Sequence, residues 1–455
     1  MTNEDRFDAE ALARQTRARA RAPGKDNSRP AGASQQPQQF SDLPAFKAMA
    51  LQRAVGDEFA IANPFFRPHD ERAGARTRIE GKTCLNFASY DYLGLNSHPA
   101  LADAANRAML KYGTSVSASR IVAGERPLHR DLEKAIAAIY QSEDAVVFVS
   151  GHATNVTVIG ELMQPGDLVV HDAIAHNSAI VGARLSGATR RNFIHNDLDA
   201  LEALLDRERR HYERALIFVE GLYSMDGDVP DLKRLVALKR RYNAWLMVDE
   251  AHALGTLGNN GLGIAEHQGV DPGGVDIWMG TMSKTLASCG GYIAGSAVLV
   301  DLLKYQAPGF VYSVGMAPPA AAAALQALEL LHTSQDRVAR LRANGKAFLE
   351  AARDAGLDTG FGQGNAVAPV IVGDSLCAAK LCENLLHQGI NVLPIIYPAV
   401  PMQQARLRFF ISSEHDLADL KAAAEETSKQ LKLLTASGFG RQGMVSTSSV
   451  AARRL

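Results

Sequence analysis

Five short apolar runs constrain this chain more than any other feature. They are Ala145-Val-Val-Phe-Val149, Leu168-Val-Val170, Ala215-Leu-Ile-Phe-Val219, Ala244-Trp-Leu-Met-Val248 and Val275-Asp-Ile-Trp-Met279. Apolar residues fill odd and even positions of these runs alike, so each strand must be buried on both faces. Helix-length segments separate them. Strands covered on both sides, with a helix between each pair, make a mostly parallel sheet in an α/β core. Helices are predicted over 197–209 and 231–242, where Asp197 and Asp231 can accept hydrogen bonds from free amides of the first turn. From about 317 to 355 two long helices lead out of the sheet. A smaller α+β unit follows, with strands near 366–372 and 406–411 and helices near 375–388 and 415–434.

Charge and cysteine content then exclude several function classes. With 48 Lys+Arg against 49 Asp+Glu and a formal net charge of −1, the chain lacks the basic footprint of a nucleic-acid binder. Cys84, Cys289, Cys377 and Cys382 are too sparse for a disulfide scaffold and lack zinc-site spacing, so no metal is expected and the compartment reads as reducing. The stretch Gly315 to Leu331 is interrupted by Pro318 and Pro319, too short for a membrane span. Arginines at 14, 17, 19 and 21 occur without the apolar core of a secretory signal, so a cytoplasmic location is expected, leaving peripheral membrane contact open. Residues 1–40 and 436–455 show no apolar period and read as disordered tails.

Candidate chemistry gathers where the apolar runs end. Gly280-Thr-Met-Ser-Lys284 follows one run, and a lysine at the carboxyl end of a buried strand sits where α/β sheets bind ligands; hydroxyls at Thr281 and Ser283 suit a phosphate. A Ser-Lys pair alone also fits a surface loop. Asp249, ending another run, precedes His252. A charge there needs a partner, and the pyridinium nitrogen of pyridoxal phosphate (PLP) would provide one; capping the next helix is the alternative. Val149-Ser-Gly-His152 reads as a strand, turn and helix start, whose free amides bind phosphate. His176 would stack on an aromatic ring or cap a helix. Ser224, in Ser-Met-Asp-Gly227, would face the same edge or lie in a plain turn.

The order of these elements, together with Asn86-Phe-Ala-Ser-Tyr-Asp-Tyr-Leu-Gly94, His129-Arg-Asp-Leu-Glu133 and Ala405-Arg-Leu-Arg408, resembles the α-oxoamine synthases over about residues 60 to 434. These are PLP enzymes of the type I aminotransferase fold. Asn63-Pro-Phe-Phe-Arg67, Gly182-Ala-Arg-Leu-Ser-Gly-Ala-Thr189 and Tyr90 are similar to the serine palmitoyltransferase branch. Other branches usually place Asn where Tyr90 stands.

The resemblance implies Lys284 as the covalent anchor of PLP and as the catalytic base. Asp249 would pair with the pyridine nitrogen, His252 with the ring oxygen, and His176 would stack on the ring. Gly151, His152, Thr281 and Ser283 would surround the phosphate, Ser224 would reach the ring oxygen or the substrate, and Arg408 would take the amino-acid carboxylate. Tyr90 would shape the substrate site. The implied reaction is a decarboxylating condensation of an amino acid, serine foremost, with an acyl-CoA or acyl-carrier-protein thioester, in a homodimer. With a long acyl chain the product would be 3-ketosphinganine. A glycine- or alanine-using synthase, an aminotransferase and a catalytically inert partner subunit are the alternatives, and Lys284 argues against the last.

The expected division is a helix and small-domain segment at 41–90, a large PLP-binding domain at 91–335 and a small domain at 336–435. Two segments depart from the family pattern. Val314 and Gly315 stand where Thr and Ser are common, and residues 112–120 have lost most of the usual glycines. The stretch 315–331 and residues 112–120 are expected at the subunit boundary.

Overall fold

The computed structural model describes residues 39–439. The predicted disordered tails fall almost wholly on residues 1–38 and 440–455, which lie outside the described residues. The described chain parts into two compact units between Val55 and Gly56. Of the first unit, residues 39–55 hold a 3₁₀ turn at Phe40–Asp42 and most of a helix, Pro44–Glu58, that has no buried residue.

The second unit opens with a hairpin of β1 (Arg76–Ile79) and β2 (Lys82–Asn86). Seven strands then build the large sheet: β3 (Asp144–Phe148), β4 (Leu168–Asp172), β5 (Thr189–Phe193), β6 (Ala215–Glu220), β7 (Trp245–Asp249), β8 (Ile277–Thr281) and β9 (Gly291–Gly295). Their order is β3-β9-β8-β7-β6-β4-β5, and only β9 runs antiparallel to its neighbours. Alternate residues face opposite layers, as strand geometry requires. Val147, Val170, Ile217, Val219 and Val248 pack against the helices at 127–139, 198–208 and 232–241, while Val146, Val169, Leu216, Phe218 and Met247 pack against those at 151–162 and 177–186. Both faces are therefore covered, which is why the runs read as continuously apolar.

Two strands of this sheet escaped the sequence reading. β5 lies at the sheet edge and carries exposed Arg190 and Arg191, so its apolar signal is weak. β9 is fully buried, yet its sequence Gly-Tyr-Ile-Ala-Gly has the glycines of a turn. Burial between β3 and β8 overrides that local preference.

Beyond the sheet, helices Pro318–Thr333 and Gln335–Asp354 lead to β10 (Val367–Gly373), helix Ser375–His387, β11 (Ile390–Asn391), β12 (Leu393–Ile395), β13 (Ala405–Phe410) and helix Leu417–Ala436. β13 lies between β10 and β12 in an antiparallel sheet, and β11 joins β2 in parallel. Amino-terminal residues thus share a sheet with the carboxyl-terminal part. Helix Pro318–Thr333 is intrachain core, with Ala321, Ala324, Ala327 and Leu328 at most 1% exposed.

The loop after β6 ties the two sheets together. Gly227 has φ +70°, and a Cβ there would lie 1.9 Å from the Val367 carbonyl oxygen, so only glycine allows the close approach. Asn365 Nδ2 donates to the Gly227 carbonyl at 2.9 Å, and Arg406 of β13 pairs with Asp226.

Candidate active site

The parallel strands end on one edge, which is where the topology delivers functional side chains. From β8 the chain turns through Met282, fully buried, and its Met282 N–H is bonded to the Gly290 carbonyl at 2.9 Å. That closure holds Lys284 at the sheet edge. Burial depresses its amine to about 8, against the pull of the Asp249 and Glu220 carboxylates, with Arg408 adding to the depression. Its Nζ lies 5.5 Å from the centroid of the Tyr90 ring. Tyr90 in turn meets Phe410 edge-on at 4.7 Å and His252 at 6.0 Å.

Asp249 ends β7 in register with Glu220 of β6 and Met279 of β8. It is 4% exposed, and no Lys, Arg or His within ion-pair distance is found for it among the described residues. Asn155 Nδ2 donates to Asp249 Oδ2 at 2.9 Å and to Ser178 Oγ at 2.9 Å, and Ala251 N–H donates to Asp249 Oδ1. His176 caps helix Asn177–Ser186 and shares a 2.7 Å hydrogen bond between Nδ1 and Ser178 Oγ. Burial lowers its pKa, Asp249 opposes that shift, and Lys284 reinforces it. His252 is buried; its Nδ1 pairs with the Tyr92 hydroxyl at 2.6 Å, which leaves Nε2 for a ligand. Burial, then Lys284 and Arg408, keep it well below the ordinary histidine range, so it is neutral.

Ser150 caps helix Gly151–Leu162, its Oγ accepting from Ala153 N–H, and leaves the Gly151 and His152 amides free. Gly151 lies against Thr281: a Cβ at 151 would be 2.7 Å from Thr281 Oγ1. Ser283 N–H and Oγ both approach that same hydroxyl, at 3.2 and 3.3 Å. His152 meets His176 edge-on at 6.2 Å. The phosphate candidates of the sequence therefore converge on one helix start.

Arg408 reaches this edge from β13. Its Nη1 donates to the Ser224 carbonyl at 2.8 Å, its guanidinium lies 4.6 Å from the Phe410 ring, and its Nε is buried without a partner. The neighbouring Arg406, not Arg408, makes the structural ion pair of this strand. Ser224 is buried in the loop after β6, its amide bonded to Glu220 Oε2 at 2.9 Å.

All the site residues singled out in the sequence thus meet at one edge. Sequence reasoning gave no role to Asn155, Tyr92 or Glu220. Asn155 was reachable, because it lies four residues after Gly151, one turn along the same helix face. Tyr92 and Glu220 lie in segments that carry the family resemblance, but nothing in the sequence separated them from core residues there.

Comparison with known proteins adds identity to this geometry. The family described as aminotransferase class I and II matches residues 82–426. The 8-amino-7-oxononanoate synthase of Thermoanaerobacter pseudethanolicus is 36% identical over 365 residues, 80% of this chain and 92% of that one. A putative 8-amino-7-oxononanoate synthase of Gloeobacter violaceus is 42% identical over 361 residues, 79% and 92% of the two chains. Among solved structures, serine palmitoyltransferase of S. paucimobilis with a bound PLP–myriocin adduct superimposes with a TM-score of 0.83 at 26% identity, covering 88% of this chain and all of that one. The 8-amino-7-oxononanoate synthase of Francisella tularensis gives a TM-score of 0.67 at 26% identity, over 76% of this chain and 97% of that one. The chain belongs to the α-oxoamine synthase family. It has the type I PLP-dependent fold of that family, its cofactor is PLP, and its activity is acyl transfer to an amino acid.

The residues present fit that cofactor. A buried Asp249 without an ion-pair partner suits a protonated ring nitrogen, the orphaned buried Asn155 Oδ1 lies beside it, and a lysine with a depressed amine faces the same edge. Gly151 lets the Thr281 hydroxyl come close to the helix start, so that hydroxyl and backbone amides could meet a phosphate together.

No helix of the described residues is long and apolar enough to cross a membrane.

Proposed function

We propose that this family member condenses a small L-amino acid, serine first, with an acyl thioester of coenzyme A or acyl-carrier protein. One observation supports the condensation above all: the depressed amine of Lys284 sits on the same sheet edge as Arg408, whose buried Nε has no partner. The carbon–carbon bond forms at the amino acid's Cα, the thioester C–S bond breaks to give the thiol, and the carboxylate leaves as carbon dioxide. The product is an α-amino ketone, 3-ketosphinganine if serine meets a palmitoyl chain.

In this reading residues 91–335 bind the cofactor and 336–435 supply Arg408. PLP, when bound, supplies an acceptor for the electron pair left as the Cα–H bond breaks. Asp249 holds the ring nitrogen, His176 covers the ring, and His252 Nε2, with Ser224, serves the ring oxygen. Gly151, His152, Thr281 and Ser283 hold the phosphate. Arg408 takes the substrate carboxylate by a charge-assisted contact. Lys284, its amine about half neutral near pH 8, takes the proton from Cα.

Serine is placed first because Tyr90, 39% exposed at the site mouth, brings a phenol to the edge of the substrate space. Alanine or glycine is the second reading, favoured by the 36–42% identity to proteins named 8-amino-7-oxononanoate synthase. A thiol-release assay with carbon dioxide capture, run with serine, alanine and glycine on both thioester types, tests both. Serine should give the highest kcat/KM, and Tyr90→Asn should shift that preference toward glycine and alanine. A clear preference for alanine in the parent would overturn serine; thiol release without carbon dioxide would sink the condensation itself.

The homodimer is also proposed. Val122, Tyr312 and Val314 are 79, 86 and 48% exposed, an apolar group that a second subunit would cover. Sedimentation should give twice the 48.8 kDa of one chain. An active monomer at assay concentration would refute it.

A further inference from the structure

Glu220 ends β6 beside Asp249, is 2% exposed and forms no ion pair among the described residues. Its Oε2 is the acceptor for Ser224 N–H at 2.9 Å, and the carbonyl of that same Ser224 accepts from Arg408 Nη1 at 2.8 Å. Glu220 Oε1 and Arg408 Nε are both buried without partners. The rest of the loop is closed by other bonds, Gly227 N–H to the Tyr223 carbonyl and Tyr223 N–H to the Asp228 carbonyl. The peptide unit between Tyr223 and Ser224 is thus held at its carbonyl by Gly227 and at its N–H by Glu220.

A buried carboxyl without an ion pair is costly, and an apolar residue would pack here at less expense. We propose that Glu220 is a positioning residue that sets the amino-acid carboxylate subsite, by anchoring the amide of Ser224, whose carbonyl, on the following peptide unit, accepts from Arg408. The inference rests on the reading of Arg408 as the carboxylate-binding residue. When Glu220 holds the Ser224 amide, the Ser224 carbonyl is oriented toward β13 and takes one nitrogen of Arg408. The guanidinium is then fixed with its Nε still unpaired. Without Glu220 the Ser224 amide loses its acceptor, and the Ser224 carbonyl, the oxygen acceptor of Arg408 among the described residues, is held less firmly. Burial, then the adjoining Asp249 carboxylate, pushes Glu220 up to about 7, and in either protonation state it keeps an acceptor oxygen for Ser224 N–H.

The test measures amino-acid affinity by spectral titration of the PLP-loaded protein and by calorimetry, alongside KM for the acyl thioester. Glu220→Ala should weaken amino-acid binding by roughly tenfold or more, the usual effect of losing a hydrogen bond that orders a charged group. Cofactor absorbance and the thioester KM should stay put. Glu220→Gln keeps an acceptor oxygen and should restore most of the affinity. In an Arg408→Ala background, Glu220→Ala should add nothing further, because the two act on one contact. An amine lacking the carboxylate, such as ethanolamine, should bind parent and Glu220→Ala equally. Should the alanine variant fail to accumulate, Glu220→Met fills the space without an acceptor and replaces it. Additive losses in the double variant, a glutamine variant as impaired as alanine, or equal changes in amino-acid and thioester constants would each overturn the proposal. Because affinity is read without product, a parent that binds serine but releases no carbon dioxide would sink the condensation and leave this inference standing.

Discussion

Lys284→Ala is expected to abolish turnover, by roughly 10² to 10⁴-fold or more, since the variant loses both the cofactor's anchor and the general base. Borohydride treatment of the parent should fix PLP on the Lys284 peptide, and the variant should retain none. Fixation on another lysine would refute the assignment. The fold should survive, because the charged amine is destabilised by its own burial. Reactivity also has a pH signature. An ordinary lysine is mostly charged below 10.5, whereas Lys284 loses its proton at about 8, so its nucleophilic neutral form rises between about pH 7 and 9. Labelling of cofactor-free protein by an amine-directed reagent should follow that curve at Lys284 and no other lysine should do so.

Arg408→Ala should weaken serine binding by about 10- to 150-fold, the equivalent of 1.5 to 3 kcal/mol for a hydrogen bond to a charged group. Cofactor absorbance should be unchanged. The contrast with Arg406, two residues earlier on β13, makes this decisive. Arg406 and Asp226 are both 7% exposed, and removing one partner of a buried pair costs about 3 to 5 kcal/mol. Arg406→Ala should therefore lower the melting temperature strongly, while Arg408→Ala, with no acidic partner, should not. Melting curves and spectral titrations of the two variants check this. If the two behave alike, Arg408 is a structural residue and the carboxylate reading falls.

Both predictions concern residues that the sequence nominated by type and order but could not place. Lys284 and Asp249 were legible because each follows a continuously apolar run, and a charged side chain there needs a partner or a task. Arg408 was legible only through the family resemblance. In the bare sequence Ala405-Arg-Leu-Arg408 alternates as an exposed strand would, and nothing distinguishes Arg406 from Arg408. His176 shows the same divide. Cap and ring-stacking were both open; the structure makes it a cap through Ser178, and the same ring stays at the site edge.

What the sequence determined by itself was the α/β core, because strands buried on both faces leave a pattern within single short segments. It also determined which side chains end those strands, since strand ends follow from the same local pattern. Only the tertiary structure decided which of them touch. Asn155 reaches Asp249 across 94 residues, and Arg408 reaches Ser224 across 184. Such contacts arise from strand order and crossover packing, which bring distant segments together without marking either one. For the same reason β9 and Glu220 were invisible in the sequence: burial by neighbours, not local propensity, gives each its place.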